Sequence, residues 1–190
     1  TRNKSLKLNF GQIRFIIFGS VFMIIIVGFI DQFAHLLLGK EEYFNALSIV
    51  PVILLANLFL GIYYNFSVWF KLTDKTRYGM YFSLLGALIT IALNIIFIPK
   101  IGFMASAWAT LITYAVMAGL SCMYGRKYYR IPYPMANLLM ILIIATGLSY
   151  LSFIFFRGNN MVSGLMLIGF LGIIIWNQKK EIKTIWKVSS

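Results

Sequence analysis

One histidine, one cysteine and five acidic residues among 190 leave little from which to build an enzyme centre. Cys122 has no partner for an internal disulfide, and its place near a helix end fits a reduced, structural thiol. With His35 the sole histidine, the sequence holds no Cys/His ligand cluster and no Ser/His/Asp constellation, and it lacks the Gly-rich phosphate loop that ends in Gly-Lys-Ser/Thr. An ATP-driven pump or a membrane metalloprotease would need another chain or a further part of this one. The reading is therefore a non-enzyme, with no catalytic residue, cofactor or metal site. Charge is scarce too, at 12% of residues. No run alternates polar and apolar with period two, which excludes strands, and an open sheet could not satisfy its backbone in lipid.

Apolar residues are abundant instead, at 61% of the chain with a mean hydropathy of +0.85, far from a soluble domain. They fall into six stretches, approximately 15–38, 46–70, 78–98, 103–124, 134–156 and 161–177. A helix needs about 20 apolar residues to cross the hydrocarbon, so the expected class is all-α integral membrane with six transmembrane helices. A net charge of +12 would suggest nucleic acid in a soluble protein. Here 14 of the 17 Lys and Arg residues occupy alternate gaps: Arg2, Lys4, Lys7 and Arg14; Lys71, Lys75 and Arg77; Arg126, Lys127 and Arg130; Lys179, Lys180, Lys183 and Lys187. Only Lys40, Lys100 and Arg157 lie in the other gaps. Cations of short loops stay on the cytoplasmic side. The split therefore predicts both termini inside and three short turns outside, at an anionic lipid surface rather than on nucleic acid. The chain begins at Thr1, without an initiator Met or a signal-peptide pattern, and is expected to be processed or a piece of something longer.

Gly39 to Asn45, Pro99 with Gly102, and Gly158 to Asn160 punctuate the outer turns. Trp69, Tyr78, Tyr81, Tyr124, Tyr128, Tyr129 and Tyr133 read as an aromatic belt at headgroup depth. Ile182, Ile185 and Trp186 interleave with lysines at helical spacing, so residues 178–190 form a basic amphipathic cytoplasmic tail on the inner surface.

Polar residues inside the spans carry the candidate chemistry. Gly79, Ser83, Gly86, Thr90 and Asn94 stack on one face of the third span, either as a helix-packing seam or as part of a polar translocation cavity. Asn57, Gly61 and Asn65 repeat the arrangement in the second, where Pro51 is expected to act as a hinge or a static kink. Asp31 and His35, four residues apart, are either a coupling pair for a proton or cation or a locally paired interface site. Gly102, Ser106, Thr110 and Thr113 line one side of the fourth span. The fifth and sixth are nearly featureless, interrupted by Asn137, Thr146, Gly147, Gly164, Gly169 and Gly172, and are expected to face lipid.

Two segments carry a family likeness: Gly61 to Thr76 (GIYYNFSVWFKLTDKT), and Asn94 to Gly102 (NIIFIPKIG) leading into Ala105 to Thr110 (ASAWAT), with the Gly39 to Tyr43 turn beside them. Over residues 1–130, and best over 8–130, the chain resembles the C-terminal region of bacterial polysaccharide flippases of the multidrug/oligosaccharidyl-lipid/polysaccharide exporter superfamily. The resemblance implies a two-lobe transporter of about 14 helices, in which this chain supplies most of the C-terminal lobe plus two terminal helices at 131–177. The N-terminal lobe of the same transporter, membrane lipids, and glycosyltransferases or a polysaccharide polymerase are the implied partners. The implied substrate is an undecaprenyl-diphosphate-linked oligosaccharide, crossing the bacterial inner membrane by alternating access. Asn57, Asn65, Thr90 and Asn94 would line the cavity, Lys71, Lys75 and Arg77 would attract the headgroup, and 134–156 with 161–177 would form a groove for the isoprenoid chain. The alternatives are a cation-coupled multidrug exporter using Asp31 and His35, and a membrane scaffold for polysaccharide assembly enzymes.

Overall fold

The computed structural model describes residues 2–37, 46–128 and 135–189, with side chains for 11–36, 46–128 and 135–176. All regular structure among them is helical: α1 Arg2–Gly28, α2 Ile30–Leu37, α3 Val50–Phe66, α4 Val68–Leu72, α5 Arg77–Ile101, α6 Met104–Tyr128, α7 Met135–Phe155 and α8 Asn160–Ser189. Five stretches, Gly11–Gly28, Ala46–Leu72, Arg77–Ile101, Met104–Tyr128 and Met135–Phe155, are long and apolar enough to cross a membrane. The apolar part of α8, Asn160–Trp176, has 17 residues, about 25 Å of helix, and the same helix continues unbroken into the basic tail. Leu36, Phe18, Ile95 and Ile143 are exposed by 70% or more. In water such a surface would be an aggregation liability; against acyl chains it is the expected exterior. The chain is an all-α, multi-pass membrane protein.

The helices gather into two compact units, residues 1–16 with 45–135 and residues 17–44 with 136–190. In the first, α6 is the hub, packed by both α3 and α5. Ala105, Ala107, Ala109, Ala118 and Ser121 of α6 are buried, as is Ala56 of α3. Small side chains let helix backbones approach where no hydrophobic drive separates protein from lipid. Gly61 of α3 sits so close to Phe15 that a Cβ there would lie 2.1 Å from the ring.

Prolines do not set the breaks that the sequence suggested. Pro51 lies in the first turn of α3, after a short 3-10 turn at 46–49, where a missing N–H costs nothing. It is neither hinge nor kink. The break falls at Ser67, between α3 and α4. Its amide and its hydroxyl both donate to Tyr63 O, at 2.8 and 2.6 Å, and such back-bonding bends helices. Likewise α5 runs through Pro99 to Ile101. A proline in the last turn withholds one bond from a helix about to end, and Gly102 (φ 61°) ends it.

In the second unit Met23, Ile24, Val27, Leu138, Ile141, Ala145 and Phe170 are buried. Here α7 and α8 are not featureless. Ser149, Ser152 and Ser163 are buried, and the Ser152 and Ser163 hydroxyls share a hydrogen bond of 3.0 Å. Ser163 also packs against the backbone of Gly28, where a Cβ would come within 3.1 Å of it. By contrast, a Cβ at Gly147, Gly164, Gly169 or Gly172 would meet nothing within 4 Å. The serines are the seam, and these glycines face outward. The Gly39 to Tyr43 turn, Arg130, Tyr129 and Tyr133 lie outside the described residues.

Candidate functional site

A groove of about 660 Å³ lies in the first unit between α3–α4, α5 and α6. Tyr63, Ser67 and Phe70 on one side and Gly86, Thr113 and Met117 on the other are buried and form its floor. Tyr64, Lys71, Ser83, Ala87 and Ile91, all exposed, form its rim. The floor follows from the small residues of α5: a Cβ on Gly86 would lie 2.5 Å from Met117 Sδ and 3.3 Å from Thr113 Cγ2.

Hydroxyls on the floor are bonded within the protein. Thr90 Oγ1 donates to Gly86 O at 3.0 Å and lies 2.9 Å from Thr113 Oγ1, which is left to donate. Ser67 lies 3.4 Å from Ser121 Oγ in the same way. On the third-span face Gly86 and Thr90 form a packing seam with α6, and Gly79, Ser83, Gly86 and Thr90 also line the groove.

At the Lys71 end an aromatic cluster locks the short α4 to α5 and α6. Trp69 is fully buried, donates its indole N–H to Ser121 O at 3.0 Å and stacks on Tyr128, with centroids 5.5 Å apart. Tyr78 and Tyr128 share a hydroxyl hydrogen bond of 2.9 Å. Lys75 Nζ stands 3.7 Å over the Tyr128 ring, a cation–π contact. Trp69 is therefore not a headgroup-belt residue: the cluster turns it inward because α6 offers a carbonyl for its N–H and a glycine, Gly125, for its ring. The turn into α5 is tight, with Asp74 at φ 54°, Thr73 Oγ1 donating to Trp69 O at 2.9 Å and Lys75 N to Phe70 O at 2.8 Å. The three expected headgroup cations are thereby sorted: Lys71 lines the groove, Lys75 covers Tyr128, and Arg77 opens α5, exposed.

Of the expected cavity residues, Thr90 lines the groove and Asn57, Asn65 and Asn94 do not. Asn57 Nδ2 donates back to Ile53 O at 3.0 Å and Asn65 Nδ2 to Gly61 O at 2.9 Å. Their stripe lies about 100° round α3 from the groove wall, on the side that meets Phe15. Asn94 Oδ1 is buried without a hydrogen-bond partner. Spacing by four put the asparagines on one face but could not say which face has a neighbour. Tyr114 and Met117 join the lining from α6, with Thr113 the only member of the Gly102–Ser106–Thr110–Thr113 line to do so; Thr110 instead donates to Ser106 O at 2.8 Å. No sequence signal marked Tyr114 or Met117.

In the second unit Asp31, in the first turn of α2, is joined by Arg157, whose Nε donates to its carboxylate at 3.0 Å. The guanidinium also stands 5.3 Å from the Phe153 ring centroid. Gln32 donates to Asn160 beside them. His35 lies one turn further along α2, exposed. The Asp31 carboxylate thus has a cationic partner across the α7–α8 turn.

No protein-family model, no curated protein and no solved structure matches this chain.

Proposed function

We propose that this chain is the C-terminal part of a flippase that carries undecaprenyl-diphosphate-linked oligosaccharides from the cytoplasmic to the outer leaflet of the bacterial inner membrane for surface polysaccharide. The observation that carries the reading is the groove: a hydroxyl- and tyrosine-lined recess within a membrane helix bundle, with Lys71 at one end. Polar groups at membrane depth mark solute pathways, and transporters place such sites between helices that move as a body. Arginine and lysine alternation puts the Lys71 end on the cytosolic side, where a diphosphate headgroup would arrive. The likeness of Gly61 to Thr76 and of Asn94 to Thr110 to polysaccharide flippases supports the substrate class.

The competing exporter reading needs the Asp31 carboxylate available to a coupling cation, and its ion pair with Arg157 weighs against that. Chromosomal Thr90→Leu, which would fill the groove floor, should strongly reduce surface polysaccharide while the protein stays in the membrane at normal level. Unchanged polysaccharide at that level, or in a strain deleted for the gene, would end the proposal.

A further inference from the structure

We infer that the α3–α5–α6 groove receives a phosphate-bearing lipid sideways from one leaflet, its phosphate at Lys71 and its chain running up toward Leu60 and Ile91. Length is the first argument. The groove extends from Lys71 to Leu60 along one wall and from Gly79 to Ile91 along the other, 11 and 12 residues, or about 16–18 Å at the rise of a helix. That is roughly half of a hydrocarbon core of about 30 Å, the depth of one leaflet and not of a transbilayer channel.

Access is the second argument. The rim residues Tyr64, Ser83, Ala87 and Ile91 are exposed while the floor is buried, so the recess opens along the side of the first unit's helices, the direction from which a lipid would enter.

Chemistry is the third. Lys71 is the sole charged residue of the lining, and no carboxylate accompanies it. Further in, the Thr90 and Thr113 hydroxyls are already bonded to Gly86 O and to each other, so these two need no partner from a chain laid beside them, and Leu60, Ala87, Ile91 and Met117 offer it apolar contact. A molecule that is anionic at one end and apolar along about one leaflet matches this gradient. The assignment differs from a lipid groove on α7 and α8, because it places the chain on α3, α5 and α6. It rests on the transport reading for its purpose, yet is tested without transport.

The purified chain in nanodiscs of digalactosyldiacylglycerol, which carries no phosphate, would be exposed to photoreactive dodecyl phosphate, and labelled residues read by mass spectrometry. Labelling should concentrate at Leu60, Tyr64, Ala87 and Ile91. Lys71→Gln should reduce it about tenfold, since a hydrogen bond to a charged group contributes about 1.5–3 kcal/mol and each 1.4 kcal/mol is about tenfold. Lys71→Arg should retain most of it. Equal labelling by neutral photoreactive dodecyl maltoside, labelling spread over Ile143 and Leu165 in proportion to exposure, displacement by inorganic phosphate, or an unchanged Lys71→Gln variant would each overturn the inference. Loss of the flippase reading through unaffected polysaccharide in a deletion strain would leave these labelling results standing, so the two fail separately.

Discussion

Gly125→Ala tests the packing that fixes the Lys71 end. Alanine is the better helix former, and at an open site on a helix the change should stabilise by about 0.5–1 kcal/mol. At Gly125 the new Cβ would stand 2.8 Å from Trp69 Cδ1, 3.3 Å from Nε1 and 3.4 Å from Cγ. The indole cannot slide away cheaply, because its N–H is bonded to Ser121 O and its far face stacks on Tyr128. Over-packing of this kind costs about 1–3 kcal/mol, so the clash outweighs the propensity gain and the net change is a loss of about 1–2 kcal/mol. Gly119, six residues earlier on the same helix with open space around it, supplies the control: Gly119→Ala should be neutral or stabilising. Thermal unfolding in one detergent, followed by the surviving monodisperse fraction, should place Gly125→Ala several degrees below Gly119→Ala, at about 2–4 °C per kcal/mol. Equal midpoints would refute the burial of Trp69 against α6, and with it the account of how α4 is held.

Three further outcomes follow from the same contacts. Thr90→Val and Thr113→Val should be coupled by about 0.6 kcal/mol in a double-mutant cycle, the typical value for hydroxyl pairs between membrane helices; additive losses would mean that the 2.9 Å hydrogen bond does not form. Asp31→Asn and Arg157→Gln should be coupled by less than about 1 kcal/mol in thermal unfolding, because the Arg157 side chain is 35% exposed and pairs near solvent contribute little. Ser163→Leu should sharply lower the folded yield while its neighbour Gly164→Leu is tolerated, since the first side chain is enclosed by Gly28 and Ser152 and the second faces open space; similar yields by size-exclusion chromatography would contradict the serine seam.

How much of this was legible in the sequence depended on what the signal averages over. Hydropathy sums many residues, and it located the apolar helices from residue 46 onward within a few positions, whereas the stretch read as one span over 15–38 is divided between α1 and α2 at Phe29. Which face of a helix meets a neighbour is decided by single contacts, and there the pattern was ambiguous. Gly86 and Thr90 were found because the partner helix carries Thr113 opposite them, whereas Asn57 and Asn65, equally periodic, bond back to their own helix. Ser149, Ser152 and Ser163 were passed over in favour of the more conspicuous glycines, although serine is small enough to allow close approach and can close its hydrogen bond on a partner helix. Trp69 was indistinguishable from a belt residue because burial and interface anchoring put an indole at the same depth; only its hydrogen bond to Ser121 O and its packing on Gly125 separate the two.

The two units therefore differ in what their small residues do. In the second, the Ser152–Ser163 hydrogen bond and the close approach of Gly28 to Ser163 draw the helices together, and the hydroxyls of Ser20 and Ser149 are buried without a partner among the described residues. An unsatisfied buried hydroxyl costs about 1–3 kcal/mol, so such positions are tolerated where tight packing is gained, not where a ligand must come and go. In the first, Gly79 and Gly86 remove side-chain volume from α5 beside tyrosines and a lysine that hold the walls apart. The same device serves packing in one bundle and space in the other: a Cβ at Gly28 would come within 3.1 Å of Ser163, whereas Gly79 and Gly86 lie in the lining of the groove.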